Sequence, residues 1–226
     1  MARPLVQKLI CGWGVNNADY ATCQQIDGKS KICPFYDRWR GMIKRSIDPT
    51  GRWKGTAYES VSVGEGFKMF MDFKCWPEDQ GFNLNNFNLL HLDKDILSGD
   101  VKLYSPETCA FVTRKVNNLL LTSEGKRGEC LLGVSKCVKA SLGRRYYARY
   151  TDNRRGIRIG AYASEAEAHR AWQLAKADYI ERSIKGYEEE SFLIGIKYRE
   201  DIVKTLLNTA DKLRNDAEYG IITYKL

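Results

Sequence analysis

Between positions 132 and 163 the chain carries Lys136, Lys139, Arg144, Arg145, Arg149, Arg154, Arg155 and Arg158 against one acid, Asp152. Such side chains release condensed counterions when they meet phosphates, so the chemistry open to this segment is contact with a nucleic-acid backbone. A merely solvated sheet face would normally mix the two signs. A second constellation lies upstream in NLLHLDKDIL, where His91 precedes Asp93 by two positions. On a strand that spacing means one face, and an imidazole whose reference pKa lies near neutrality can take a proton there. A lone histidine beside leucines can equally serve a core, and the other histidine, His169, falls in a helical pattern.

These residues need elements to hold them. CPFYDRWRGMIKRS over 33–46 places Tyr36, Trp39, Met42 and Ile43 on one apolar stripe, with Arg38, Lys44 and Arg45 on its flanks, and predicts an amphipathic helix. A second helix is expected from Gly66 to Lys74, with Phe67, Phe70, Met71 and Phe73 on one side and Pro77 ending it. From Leu89 a short apolar run leads to a turn at Ser98, Gly99 and Asp100; CAFV at Cys109–Val112 is extended, and TRKVNNLLL has the spacing of a short helix with Val116, Leu119 and Leu120 buried. Residues 123–131 are polar and glycine-rich and read as a linker between a first domain, 1–122, and a second, 132–183. Within the second, three short segments are separated by turn signals at Leu142–Gly143 and Asp152–Asn153 and read as antiparallel strands. Ser164 with Glu167 forms a capping box, and Ala168, Ala171, Trp172, Ala175 and Tyr179 give the stripe of a helix that can lie close on a sheet. A final helix over 199–216, within a helical extension 184–226, completes an α+β chain.

Strand alternation puts Tyr146, Ala148 and Tyr150 toward that helix, and Arg145, Tyr147, Arg149 and Thr151 on the open side. Arg158 joins the open face, while Ile157 and Ile159 point inward. Gly133–Val134, Tyr146 to Ala148, Ile159–Gly160–Ala161–Tyr162 and the alanine-rich helix together resemble the ethylene-response-factor type of DNA-binding domain, the AP-two family, over about fifty residues. That resemblance implies a sheet laid in the major groove of double-stranded DNA, with base or phosphate contacts from Ser135, Arg145, Arg149, Thr151 and Arg158. Tyr147 shares their face. Ser135 and Cys137 stand where plant members carry arginines, so no sequence preference transfers.

Leu92–Asp93–Lys94–Asp95–Ile96, then Tyr104–Ser105–Pro106–Glu107–Thr108–Cys109, then Phe111–Val112 with Asn117 following, resemble the HNH endonuclease motif as found in phage homing endonucleases that also carry an AP-two domain. The likeness extends upstream through Cys33–Pro34, Trp39, Met42 and Arg45. It implies that Asp93 and Asn117 hold one divalent cation, Mg2+ or Mn2+, at the scissile phosphate. Common members place a histidine base directly after the metal-binding aspartate; here Lys94 occupies that position, which leaves His91 as the candidate base and Lys94 as a candidate for steadying charge on the phosphate. Asp100 replaces an asparagine of the phage family, and Thr108 replaces the more general HNH asparagine. Asp93 and Asn117 can also serve as caps and turn-formers.

The formal net charge of +8 agrees with an acidic partner. No apolar run is long enough for a membrane span and MARPLVQKLI lacks a signal-peptide core, so a location in the host cytoplasm is expected. The seven cysteines form no CxxC pair; free thiols are expected, and a structural zinc on Cys11, Cys23, Cys33 and Cys75 is disfavoured by the spacing. The sequence thus points to a metal-dependent DNA endonuclease of the phage homing type. The alternative is a DNA-binding or regulatory protein derived from one and no longer catalytic. An RNA-binding module fits less well, because the open sheet face offers Tyr147 but no row of aromatics.

Overall fold

The computed structural model describes residues 9–48, 50–56, 58–99, 101–121, 129–136, 145–152 and 155–226. The fold is mixed α and β, with small sheets rather than one large one. The chain divides into two compact units, one formed by the residues up to Arg114 together with Ser191–Lys197, the other by Lys115–Glu190 with Tyr198–Leu226.

In the first unit β1 (Cys23–Ile26) and β2 (Lys29–Ile32) form an antiparallel hairpin. Its two-residue turn places both Asp27 (φ 52°) and Gly28 (φ 69°) in the left-handed region that a tight hairpin turn needs. α1 (Pro34–Ile47) starts with proline at its first turn, where the missing N–H costs nothing, and buries Phe35, Trp39, Met42 and Ile43. The short strand β3 (Ser62–Val63) and a 3-10 turn at Glu65–Phe67 lead to α2 (Phe70–Glu78). Pro77 does not stop this helix; it lies inside the last turn. There it removes a single intrahelical hydrogen bond and joins Phe70 and Phe73 in the core, while its carbonyl accepts from Gln80 and Phe82.

After a 3-10 turn at Phe87–Leu89 come β4 (Leu90–Asp93), β5 (Leu103–Tyr104) and β6 (Ala110–Thr113), which runs directly into α3 (Arg114–Leu119). β4 and β6 are antiparallel with His91 opposite Val112 and Asp93 opposite Ala110; β5 pairs parallel with β3. The hairpin rests on an aromatic core. Phe111 lies 5.0 Å from Phe87 and 5.4 Å from Trp76 between ring centroids, and the Trp39 indole N–H donates to the Phe67 carbonyl at 2.7 Å. Every residue of β6 is buried, so the position of β4 is fixed from behind.

In the second unit β7 (Val134–Lys136), β8 (Tyr146–Asp152) and β9 (Arg155–Tyr162) form an antiparallel sheet in that order. α4 (Glu165–Leu193) begins at the expected reciprocal capping box: Ser164 N–H donates to Glu167 at 3.2 Å and Glu167 N–H to the Ser164 hydroxyl at 3.2 Å. The helix continues unbroken past position 184 for 29 residues in all. α5 (Glu200–Glu218) buries Ile202, Leu206, Ala210 and Leu213. Leu131, at the end of the expected linker, is tied by its N–H to Glu165; residues 123–128 of that stretch lie outside the described residues. Among the described residues no helix is long and apolar enough to cross a membrane.

Candidate functional site

Two sets of side chains carry chemistry, one in each unit. On the sheet, Ser135 pairs with Tyr147 and Arg149 with Arg158, which places these four on one face with Thr151. The Arg158 guanidinium lies 3.8 Å from the Tyr147 ring centroid, a cation–π contact that holds a charge flat against the sheet. Arg145, Arg149, Arg155 and Arg158 are exposed and make no ion pair with another described residue. The only acid of the region is turned away: Asp152 belongs to the helix side and accepts from the Tyr179 hydroxyl at 2.7 Å. The open face is therefore of one sign among the described residues. Lys139, Arg144 and Arg154, like Cys137, lie outside the described residues.

One strand expectation needs correction. Ile157 is on the helix side, opposite Tyr150, yet it remains 37% exposed. Tyr150 covers the helix at that level by stacking on Tyr179 at 4.7 Å, so no apolar surface is left for Ile157. A register shift at Ala148/Arg149 absorbs Ile159 as an extra residue and keeps Arg158 level with Arg149.

In the first unit, His91 and Asp93 share a face of β4, whose alternate residues Leu90 and Leu92 contribute to the core. Asp93 Oδ1 accepts the N–H groups of Asp95 at 2.8 Å and Ile96 at 2.7 Å. The aspartate thus closes its own turn, while Oδ2 has no hydrogen-bond partner among the described residues. Burial pushes the Asp93 carboxyl above its ordinary pKa, opposed by those two N–H groups. The His91 imidazole is shifted the other way, toward the neutral form, by burial and then by the positive charges of Arg38 and Arg114. A neutral imidazole is the proton-accepting state.

Lys94 is 8% exposed and its ammonium is engaged by Asp95. Service at a phosphate would require that pair to open. Thr108 donates to the Leu103 carbonyl at 2.6 Å and accepts from Ser105 N–H at 3.1 Å, and so closes the loop between β5 and β6. Asn117 is half-buried on α3, among the residues that cluster with the second unit. Asp100 lies outside the described residues.

Among the described residues no three His, Cys, Asp or Glu side chains come together as a metal cage. A magnesium ion does not need one. It keeps several waters and is typically held by one or two carboxylates and the substrate phosphate, a donor set to which the spare Oδ2 of Asp93 can contribute. Cys11, Cys23, Cys33, Cys75, Cys109 and Cys130 are free thiols, and burial drives Cys109 up to about 12, which leaves it protonated and unreactive.

Arg38 and Arg114 are the site residues that the sequence reading missed. Arg38 looked like the polar flank of a helix, and only the pairing of β4 with β6 shows that α1 and the start of α3 both direct positive charge at His91. Compared with known proteins, the chain matches no family model, no curated protein and no solved structure.

Proposed function

We propose that the protein is a DNA endonuclease that hydrolyses phosphodiester bonds with one divalent cation, Mg2+ or Mn2+, and is held on duplex DNA by the open face of β7–β9. The observation that carries this reading is the placement of an imidazole, His91, and a partly satisfied carboxylate, Asp93, on one face of β4. In this reading Asp93 would hold the cation, which would supply charge neutralisation at the scissile phosphate and at the leaving oxygen; Asn117 of α3 is the second ligand that the sequence resemblance implies. His91 takes the proton of the attacking water. Arg149 and Arg158 bind the duplex, with Ser135, Arg145, Tyr147 and Thr151 beside them, at a distance in sequence from the chemistry. The phage homing role implied by the sequence resemblance belongs to the same proposal.

A second reading, a DNA-binding protein without catalysis, is favoured by one detail: Asp93 Oδ1 is already committed to two backbone N–H groups. Incubation of the full chain with supercoiled plasmid separates the two. Nicking that requires Mg2+ or Mn2+ supports the nuclease; retention of DNA without nicking, across many plasmid sequences and both metals, supports the binder.

A further inference from the structure

Arg38 is an unusual arginine. Its side chain is half-buried on α1, and its guanidinium carbon lies 5.5 Å from the centroid of the Phe87 ring. No acceptor satisfies its five N–H donors among the described residues, because its acidic sequence neighbour Asp37 pairs with Arg40 at 2.9 Å. After burial, the strongest influence on it is the positive charge of Arg45, which outweighs the opposing charge of Asp37; the Arg45 Nε is buried without a partner and its guanidinium lies over Tyr58 at 5.5 Å. Desolvating a guanidinium beside a like charge is costly and is normally offset by an anion. Phe87 packs against Phe35 at 3.9 Å and leads directly into β4, so the ring that carries Arg38 is anchored to the same frame as His91.

We propose that Arg38 is a phosphate-holding residue: its planar fork takes two non-bridging oxygens of a backbone phosphodiester and seats that group against the His91 face of β4. The assignment deepens the nuclease reading and rests on it for the identity of the phosphate; the anion site itself stands on the geometry of α1, Phe87 and β4. Arginine suits the task because its fork matches two oxygens at once, and stacking on Phe87 fixes the plane of that fork before the ligand arrives. Arg114, exposed at the start of α3, adds its positive charge at His91.

The test uses the full chain without metal at one fixed pH. His91 and His169 are the only histidines, so the ring signals of each can be followed by NMR while inorganic phosphate is added. In the wild type the His91 signals should move and saturate, and His169, buried in the second unit, should stay in place. Arg38→Met keeps an unbranched stem on Phe87 and should weaken the phosphate response about tenfold or more with the unfolding midpoint held, while Arg38→Lys should recover part of it. A wild type that ignores phosphate, or an Arg38→Met protein that responds as the wild type does, overturns the site. A short duplex should compete with phosphate for the His91 signal; failure to compete overturns the assignment to the DNA backbone. The nuclease reading is judged separately by plasmid nicking. An Arg38-dependent phosphate response without nicking sinks the nuclease and leaves the anion site, whereas nicking with unchanged KM and kcat in Arg38→Met sinks Arg38 and leaves the nuclease.

Discussion

Arg149 and Arg158 stand directly opposite each other across β8 and β9, on the same open face of the sheet. Like charges in that position destabilise an antiparallel pair by several tenths of a kcal/mol, and neither arginine is offset by a carboxylate among the described residues. A polyanion laid across the face would relieve the repulsion. Arg149→Ala and Arg158→Ala should each weaken duplex binding by about 1–3 kcal/mol and lower the salt dependence, while thermal stability stays level or rises in Arg149→Ala and, because the Tyr147 contact is lost, changes little in Arg158→Ala. Titrations at several salt concentrations, alongside melting curves, check both halves. Unchanged affinity in both variants would move the interface elsewhere.

The proposed chemistry predicts a different pattern in the first unit. Asp93→Ala or Asn117→Ala should abolish Mg2+-dependent nicking with DNA affinity nearly intact, since binding is assigned to the sheet. His91→Ala should slow nicking about a hundredfold or more, the usual worth of a positioned base. Lys94→Met should have a smaller effect on rate, because its ammonium is occupied by Asp95. A His91→Ala protein that cuts at the wild-type rate would assign water activation to another group.

Much of this arrangement is legible in the residues. The stripe Trp39, Met42 and Ile43, the capping box at Ser164 and the alternation through Tyr146–Thr151 all report one-dimensional periods that a single element obeys by itself. The Asp27–Gly28 hairpin was missed: the dipeptide supplies two left-handed residues, but Gln24 and Gln25 on one strand and Lys29 and Lys31 on the other hide it from a search for apolar alternation. Pro77 misleads for the opposite reason: a proline near a helix end loses only one bond, and burial outweighs that loss. What no local pattern encodes is pairing at a distance. The Tyr179 hydroxyl on Asp152 and the electrostatic reach of Arg38 to His91 exist only once separate elements are packed.

Gly133 offers a test of the sheet's seating on α4. Its φ of +77° lies in the left-handed region, and a Cβ there would approach the Trp172 ring to 2.0 Å. Trp172 is 3% exposed and has no room to retreat. Gly133→Ala should therefore cost more than the about 1 kcal/mol of left-handed strain alone, and several kcal/mol in total once the packing shifts. Chemical denaturation reads it directly, and a loss under 1 kcal/mol would show that the helix packs elsewhere.

The last prediction concerns the C-terminal residues, which are held to α4 and α5 by a buried polar network. His169 bonds the Leu132 carbonyl through Nδ1 at 2.8 Å and accepts the Thr223 N–H at Nε2 at 3.0 Å, which assigns the proton to Nδ1. Gln173 donates to the Ile221 carbonyl at 2.8 Å and to the Thr223 hydroxyl at 2.9 Å; that hydroxyl donates to Asp216 at 2.6 Å, and Lys212 donates to the same carboxylate oxygen at 2.6 Å. Burial alone would raise the Asp216 pKa, but the hydrogen bonds from Lys212 and Thr223 and the charge of Lys212 bring it below the ordinary value. A depressed carboxyl pKa stabilises the fold above the unfolded value, about 3.9, and that contribution is lost as pH falls through the folded value. Thr223→Val keeps the shape and removes the hydroxyl, so it should cost about 1–3 kcal/mol at neutral pH. Asp216→Asn should cost a similar amount at neutral pH, and the gap between it and the wild type should narrow below about pH 4 as the wild-type carboxylate is protonated. Urea unfolding at a series of pH values measures both, and a gap that stays constant down to about pH 2 would remove Asp216 from the network's energetics.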